Sequence, residues 1–233
     1  MALFNKNGKI IEQFLKSKIN EDEIRLLAQE YTMPFKELMA YYRCAMMEVS
    51  TKFNVLNEEL SLQYDRNPIE SIKTRLKSPE SILEKCKRKN IPVNAKSIED
   101  NIYDIAGVRV ICAFPSDIYM MADALLKQDD IKLINLKDYI KNPKETGYRS
   151  LHLIVEIPIF LHDEKKFMKV EVQFRTISMD WWATLEHKIK YKKNYELTRQ
   201  TEDELKECAR VSAELDKKME QIHKNVEKFI SID

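Results

Sequence analysis

The amino-acid sequence predicts an α+β fold: a mixed β-sheet flanked by helices, with long helices toward both ends. Three observations point there. Apolar residues recur at steps of three and four near either end of the chain, the period changes to two in between, and the period-two runs are rich in β-branched residues. The chain divides accordingly into an N-terminal helical region over residues 1–66, a core over 67–192 and a C-terminal helical region over 193–233, read as one integrated domain.

In the first region Phe35, Met39, Tyr42, Met46, Val49, Phe53, Leu56 and Leu60 form one stripe, and Pro34 suits the first turn of that helix. The segment Lys73 to Asn90, KTRLKSPESILEKCKRKN, is dense in Lys and Arg, either a solvated helix face or a phosphate-binding one. Four runs then read as strands: IAGVRVICAF from Ile105, IKLINLKDYI from Ile131, SLHLIVEI from Ser150 and FMKVEVQFRT from Phe167. A helix over Ser116 to Lys127, capped by Ser116, follows the first run. The loop KNPKETGYRSLH holds one of only 3 glycines in 233 residues, which suggests a positive φ or a close approach by another molecule. The link HDEKK, His162 to Lys166, is short enough for an antiparallel hairpin. A further helix starts after Thr176, and a last one carries the stripe Leu205, Cys208, Ser212, Leu215, Met219, Ile222, Val226 and Phe229.

Composition narrows the class. At 27.6 kDa with 44% apolar and 33% charged residues the chain can bury a substantial core. A net charge of +1 excludes a uniformly basic nucleic-acid binder. There is no apolar run of membrane-spanning length and no secretory pattern at the start, so a cytoplasmic protein is expected. Cys44, Cys86, Cys112 and Cys208 lie far apart with no CxxC pair, and are expected to be reduced and mostly buried.

Strand alternation places Lys169, Glu171, Gln173 and Arg175 on one face and Met168, Val170, Val172 and Phe174 on the other. Gly107 and Arg109 share a face, as do Ser150, His152 and Ile154. An ordinary solvated polar side is the plain alternative for such a face. Asp104 opens a nearly all-apolar strand, where it is either a turn aspartate or, together with Glu171, half of a carboxylate pair suited to Mg²⁺ with phosphates as the other ligands. In the glycine loop, Lys144 and Arg149 could neutralise phosphates and Tyr148 could lay its ring on a base.

The series TRLKSPESILEK, YDIAGVRVIC, DYIKNPKETGYRSLH and VEVQFRT, in this order, resembles the synthetase domain of the RelA/SpoT alarmone enzymes over roughly Asn67 to Lys192. Length and helical flanks are similar to the small alarmone synthetases. The resemblance implies a sheet of nucleotidyltransferase type and a GTP pyrophosphokinase, which transfers the β,γ-diphosphate of ATP to the 3′-hydroxyl of GDP or GTP and yields AMP with ppGpp or pppGpp in the stringent response. By that resemblance Asp104 and Glu171 hold Mg²⁺, and Glu171 takes the proton of the 3′-hydroxyl. Arg75 and Arg109 resemble a guanidinium pair that sandwiches adenine, and Lys77, Ser81 and Lys85, read as one side of a helix, resemble ATP-phosphate contacts. Tyr148 resembles the tyrosine that stacks on guanine, with Lys144 and His152 near the acceptor's phosphates and Gln173 close by. Glu186 and His187 fit a family pattern but are assigned to capping or packing.

Thr146 stands where relatives often carry asparagine, so a contact by that amide is not expected. The only His-Asp pair, His162-Asp163, lies in the hairpin link, and no alarmone hydrolysis is expected. The C-terminal stripe, with dense charge around it, predicts a homo-oligomer, a tetramer by resemblance. Two rivals to the pyrophosphokinase remain: another nucleotidyltransferase, and a catalytically idle sensor of guanine nucleotide or single-stranded RNA.

Overall fold

The structure, a computed structural model, describes residues 21–64, 66–191 and 198–230. Among them the elements run α1 (Glu21–Tyr64), β1 (Ile69–Leu76), α2 (Pro79–Lys89), α3 (Ala95–Asn101), β2 (Ala106–Cys112), α4 (Pro115–Leu126), β3 (Lys132–Asp138), β4 (Leu151–Phe160), β5 (Lys165–Thr176), α5 (Ile177–Tyr191) and α6 (Arg199–Ile230). The five strands form one mixed sheet in the order β1-β2-β5-β4-β3, with β2 and β5 parallel and every other pair antiparallel. This is the predicted α+β class.

Period two sorts the sheet's side chains. Val108 and Val110 on β2, Leu153, Val155 and Ile157 on β4, and Met168, Val170, Val172 and Phe174 on β5 are all buried. Helix α1 covers this face with Met39, Tyr42, Met46, Val49 and Phe53, all buried. The Phe53 and Phe174 rings meet edge to face at 5.5 Å and 83°. Burying each such side chain stabilises the fold by about 1.5–3 kcal/mol over leaving it in water. The hairpin link is closed by the Leu161 N–H donating to the Glu164 carbonyl at 2.8 Å, as its length predicts.

Several local expectations are corrected. Pro34 lies inside α1 and not in its first turn. One missing N–H is tolerable there because so many other turns sustain the helix. Ser116 is not the cap of α4: Phe114 is the N-cap, and the Asp117 carboxylate accepts from the Phe114 N–H at 3.1 Å, with Pro115 in the first turn. Strand β1 and helix α3 were not foreseen. A register shift between Ile69 and Ser71 breaks the alternation of β1, and α3 has only seven residues, although Asn94 caps it by accepting from the Ser97 N–H at 2.8 Å. Ser78 caps α2 and Pro79 starts it, so Lys77 precedes the helix that was expected to carry it. Of the cysteines, Cys86 and Cys112 are buried, Cys44 is half-buried and Cys208 is exposed.

Candidate active site

The second face of the sheet carries the polar side chains, and the register arranges them in two rows. Arg75, Gly107, Glu171 and Ile154 lie side by side on β1, β2, β5 and β4, followed by Lys73, Arg109, Gln173 and His152. Gly107 puts no side chain between Arg75 and Glu171. A cavity of about 660 Å³ opens over these rows, lined by β1, β2 and β5, by Asp104, by Tyr148 and by the Ala183–Lys188 stretch of α5.

Two of its acids, Asp104 and Glu171, lie at the floor. Asp104, just ahead of β2, receives Lys85 Nζ at 2.6 Å and Lys77 Nζ at 3.2 Å on one oxygen. Its other oxygen is buried and has no hydrogen-bond partner among the described residues. Burial opposes ionisation of Asp104, but the two ammonium groups outweigh it and hold the carboxyl below its ordinary range. Glu171 lies 3.4 Å from His152 Nδ1 and accepts from Gln173 Nε2 at 2.8 Å. Burial raises this group too, the His152 and Gln173 contacts lower it further, and the net shift is downward. The negative charge on Asp104 pushes Glu171 the other way, so the two carboxylates repel. An orphaned carboxylate oxygen beside a second, repelled carboxylate fits a hard divalent cation. No cluster of three or more His, Cys, Asp or Glu exists among the described residues, so such an ion would take its other oxygens from a ligand or water.

One wall of the cavity is cationic. Arg75, Lys77 and Arg109 line it. Lys85 stands behind them on Asp104, and Ser81 lies outside the lining, in the first turn of α2, bonded to Ser78. Lys73 and Arg175, not among the expected site residues, also line the cavity. Arg175 is legible in hindsight, since alternation puts it on the face of Glu171 and Gln173. Behind the wall, Asp180 on α5 accepts from Lys73 at 2.9 Å, Arg109 at 3.1 Å and Arg175 at 3.0 Å. The sequence held no signal for that contact.

The glycine loop forms the other wall. Gly147 has φ +88°, and a Cβ there would meet the Ala209 Cβ of α6 at 2.5 Å. The molecule that comes close is this chain's own last helix. Tyr148 packs against Trp182, Ala183 and Ala209, and Trp182 Nε1 donates to the Leu205 carbonyl at 3.0 Å. Arg175 Nη2 donates to the Tyr148 hydroxyl at 2.9 Å, and that hydroxyl lies 2.9 Å from His152 Nε2. If the hydroxyl donates to Nε2, Nδ1 carries the proton and faces Glu171, so the chain of donors ends on the carboxylate. Lys144 Nζ lies 4.8 Å from the centres of both the Tyr139 and Tyr148 rings. Arg149 turns from the cavity and donates to the Ile140 carbonyl at 2.7 Å. Thr146 Oγ1 accepts from the Tyr148 N–H at 3.4 Å, closing the turn within the loop. Glu186 and His187, set aside as structural, line the cavity, and Glu186 also pairs with Lys190.

Comparison with known proteins shows the family and the fold. Residues 74–196 match the family model described as a region found in RelA/SpoT proteins. GTP pyrophosphokinase YwaC of Bacillus subtilis is 43% identical over 206 residues, covering 88% of this chain and 96% of that protein. The crystal structure of small alarmone synthetase 2 from Bacillus subtilis superposes with a TM-score of 0.75 at 44% identity, over 82% of this chain and 98% of that one. The structure of small alarmone synthetase 1 from the same organism, bound to its product pppGpp, gives a TM-score of 0.75 at 35% identity, over 82% of this chain and 97% of that one. The chain belongs to the RelA/SpoT family, and its relatives of similar length are small alarmone synthetases.

Proposed function

We propose that this protein is a GTP pyrophosphokinase that moves the β,γ-diphosphate of ATP onto the 3′-hydroxyl of GDP or GTP. One observation carries the reading: a carboxylate pair lies on the sheet between a wall of cations and a wall presenting a tyrosine. The cationic wall suits the triphosphate, with Arg75 and Arg109 offering planar guanidinium faces to adenine and Lys77, with Lys85 behind it, toward the phosphates; Ser81, expected there too, is bonded to Ser78 outside the lining. Tyr148 offers a π-face to guanine, and Lys144, His152 and Gln173 are assigned to the acceptor's side, whereas Arg149, expected there from the sequence, is held by the Ile140 carbonyl. Glu171 takes the 3′-hydroxyl proton as the oxygen attacks the β-phosphorus; the bond to the α-phosphate oxygen breaks and AMP leaves. Glu171 is suited to this because its carboxyl is held ionised. Mg²⁺ held by Asp104 and Glu171 would neutralise charge on the diphosphate when bound.

Alarmone hydrolysis is not part of the reading: His162 and Asp163 are almost fully exposed on the hairpin. A cytoplasmic enzyme is expected, and no described helix is long and apolar enough to cross a membrane. An oligomer, a tetramer by family likeness, is supported by α6, whose Leu215, Met219, Ile222 and Val226 are each about half exposed, while Ala209, Ser212 and Asp216 face the protein. Phe229, the end of the expected stripe, has its side chain outside the described residues. Light scattering at micromolar concentration tests this, and a particle of 27.6 kDa would sink it.

The activity is tested by incubating the protein with Mg²⁺, ATP and either GDP or GTP and separating the nucleotides on an anion exchanger. Equimolar AMP and a tetra- or pentaphosphate of guanosine are expected. Release of pyrophosphate would mean nucleotidyl transfer, and nucleotide binding without products would mean an idle sensor.

A further inference from the structure

We propose that Asp180 is a positioning residue for the donor nucleotide, acting through Arg109. This rests on the reading of Arg109 as a donor contact. Asp180 is 8% exposed and does not line the cavity, whereas all three of its partners do. The Arg109 and Arg175 guanidinium groups share its Oδ1, at 3.1 and 3.0 Å, and Lys73 takes Oδ2 at 2.9 Å. Three cations in one wall repel one another; burial and the neighbouring Arg175 charge already lower the Arg109 guanidinium from its ordinary value. A single carboxylate facing all three lets them lie side by side.

The geometry also separates the partners. Arg175 has further anchors in the Tyr148 hydroxyl at 2.9 Å and Gln173 Oε1 at 3.5 Å, and its side chain is 6% exposed. Lys73 is 57% exposed and can turn to water. Arg109, 30% exposed, makes its one hydrogen bond among the described residues to Asp180, and its Nε is buried without one. Arg109 is therefore the cation whose direction depends most on Asp180. An asparagine at this position offers one oxygen, and its amide N–H groups would face either Lys73 or the two guanidinium groups.

The test is a cycle of Asp180→Asn, Arg109→Ala and the double variant, read in two ways. Direct titration with α,β-methylene-ATP needs no turnover, and steady-state rates give KM for ATP and for GDP. Asp180→Asn should weaken analogue binding and raise KM for ATP about tenfold, with kcat and KM for GDP changed less than about threefold. In the Arg109→Ala background it should add less than about twofold, because the group it aims is gone. Equal loss on both nucleotides together with kcat, or independent effects that multiply in the double variant, would overturn the proposal. Should Asp180→Asn not fold, Lys73→Gln/Asp180→Asn restores the charge of the cluster while still denying Arg109 its carboxylate, and the same tenfold loss is expected relative to Lys73→Gln alone, since Lys73 itself lines the cavity. A wild-type protein that binds the analogue but makes no AMP would refute the pyrophosphokinase reading, and the titration would still decide the role of Asp180.

Discussion

The two walls of the cavity are held in place by different forces. On the cationic side, Lys77, Lys85, Lys73, Arg109 and Arg175 are set by ion pairs to Asp104 and Asp180. On the loop side, Tyr148 is set by packing on Trp182, Ala183 and Ala209 and by a glycine with φ +88° pressed on α6. Charge fixes one wall and shape the other. A nucleotide with many phosphates needs directed cations, while a flat base needs a ring held at a constant height, which close packing achieves with the Tyr148 hydroxyl steadied by Arg175 and His152. The walls should therefore fail to different insults.

The largest effect is expected where they meet. Glu171→Gln keeps the size and one acceptor oxygen but removes the base, so turnover should fall about 10²–10⁴-fold while both nucleotides still bind. AMP formation and direct titration check this, and wild-type rates would mean that another group takes the proton. Next comes Gly147→Ala, a pure change of shape. It places a Cβ where Ala209 already lies, at positive φ, and should cost about 1–3 kcal/mol in the loop. KM for the guanosine nucleotide should rise about tenfold or more, with KM for ATP within about twofold. Ala209→Gly in the same chain should recover part of the loss, since it relieves the clash and leaves the φ penalty.

Charge at the other wall should appear in the pH profile. Asp104 and Glu171 both have lowered folded-state values. Carboxylates shifted this way stabilise the fold fully above their ordinary values, 3.8 and 4.5, and lose that contribution as the pH falls through the folded values. The acid limb of kcat/KM should accordingly lie below pH 4.5. Lys85→Gln removes one of the two cations on Asp104, so the Asp104 carboxyl should rise and its share of the limb should move to higher pH. An unmoved limb would mean that Lys77 alone sets Asp104. The smallest effect belongs to the exposed Lys127–Asp123 pair, far from either wall: Asp123→Ala should change stability by less than about 0.5 kcal/mol in chemical denaturation.

Much of the site was legible because strands write their faces in alternate residues. Glu171, Gln173, Gly107, Arg109 and His152 could be assigned to faces from period two alone, and the register then laid them side by side. Asp104 with Glu171, and the glycine loop, were legible as residue types that chemistry would need. What failed was local: β1 carries an irregularity at Ile69 to Ser71, and Ser116 was displaced as a cap because Asp117 could fold back on Phe114. Arg149 had the right type for a phosphate contact, yet its guanidinium turned to the Ile140 carbonyl.

By itself, then, the sequence determined the class of fold, the strand faces and the residue types that converge on the cavity, because periodicity and backbone preference act over a few residues. Tertiary structure alone decided what each periodic stripe meets. The stripes of α1 and α6 read alike in the chain, but Met39, Tyr42, Met46, Val49 and Phe53 are buried against the sheet whereas Leu215, Met219, Ile222 and Val226 remain half exposed. It also decided that Gly147 answers to Ala209 and that Arg109 answers to Asp180, 62 and 71 residues away. Such contacts depend on where distant elements come to rest, and no local pattern encodes them.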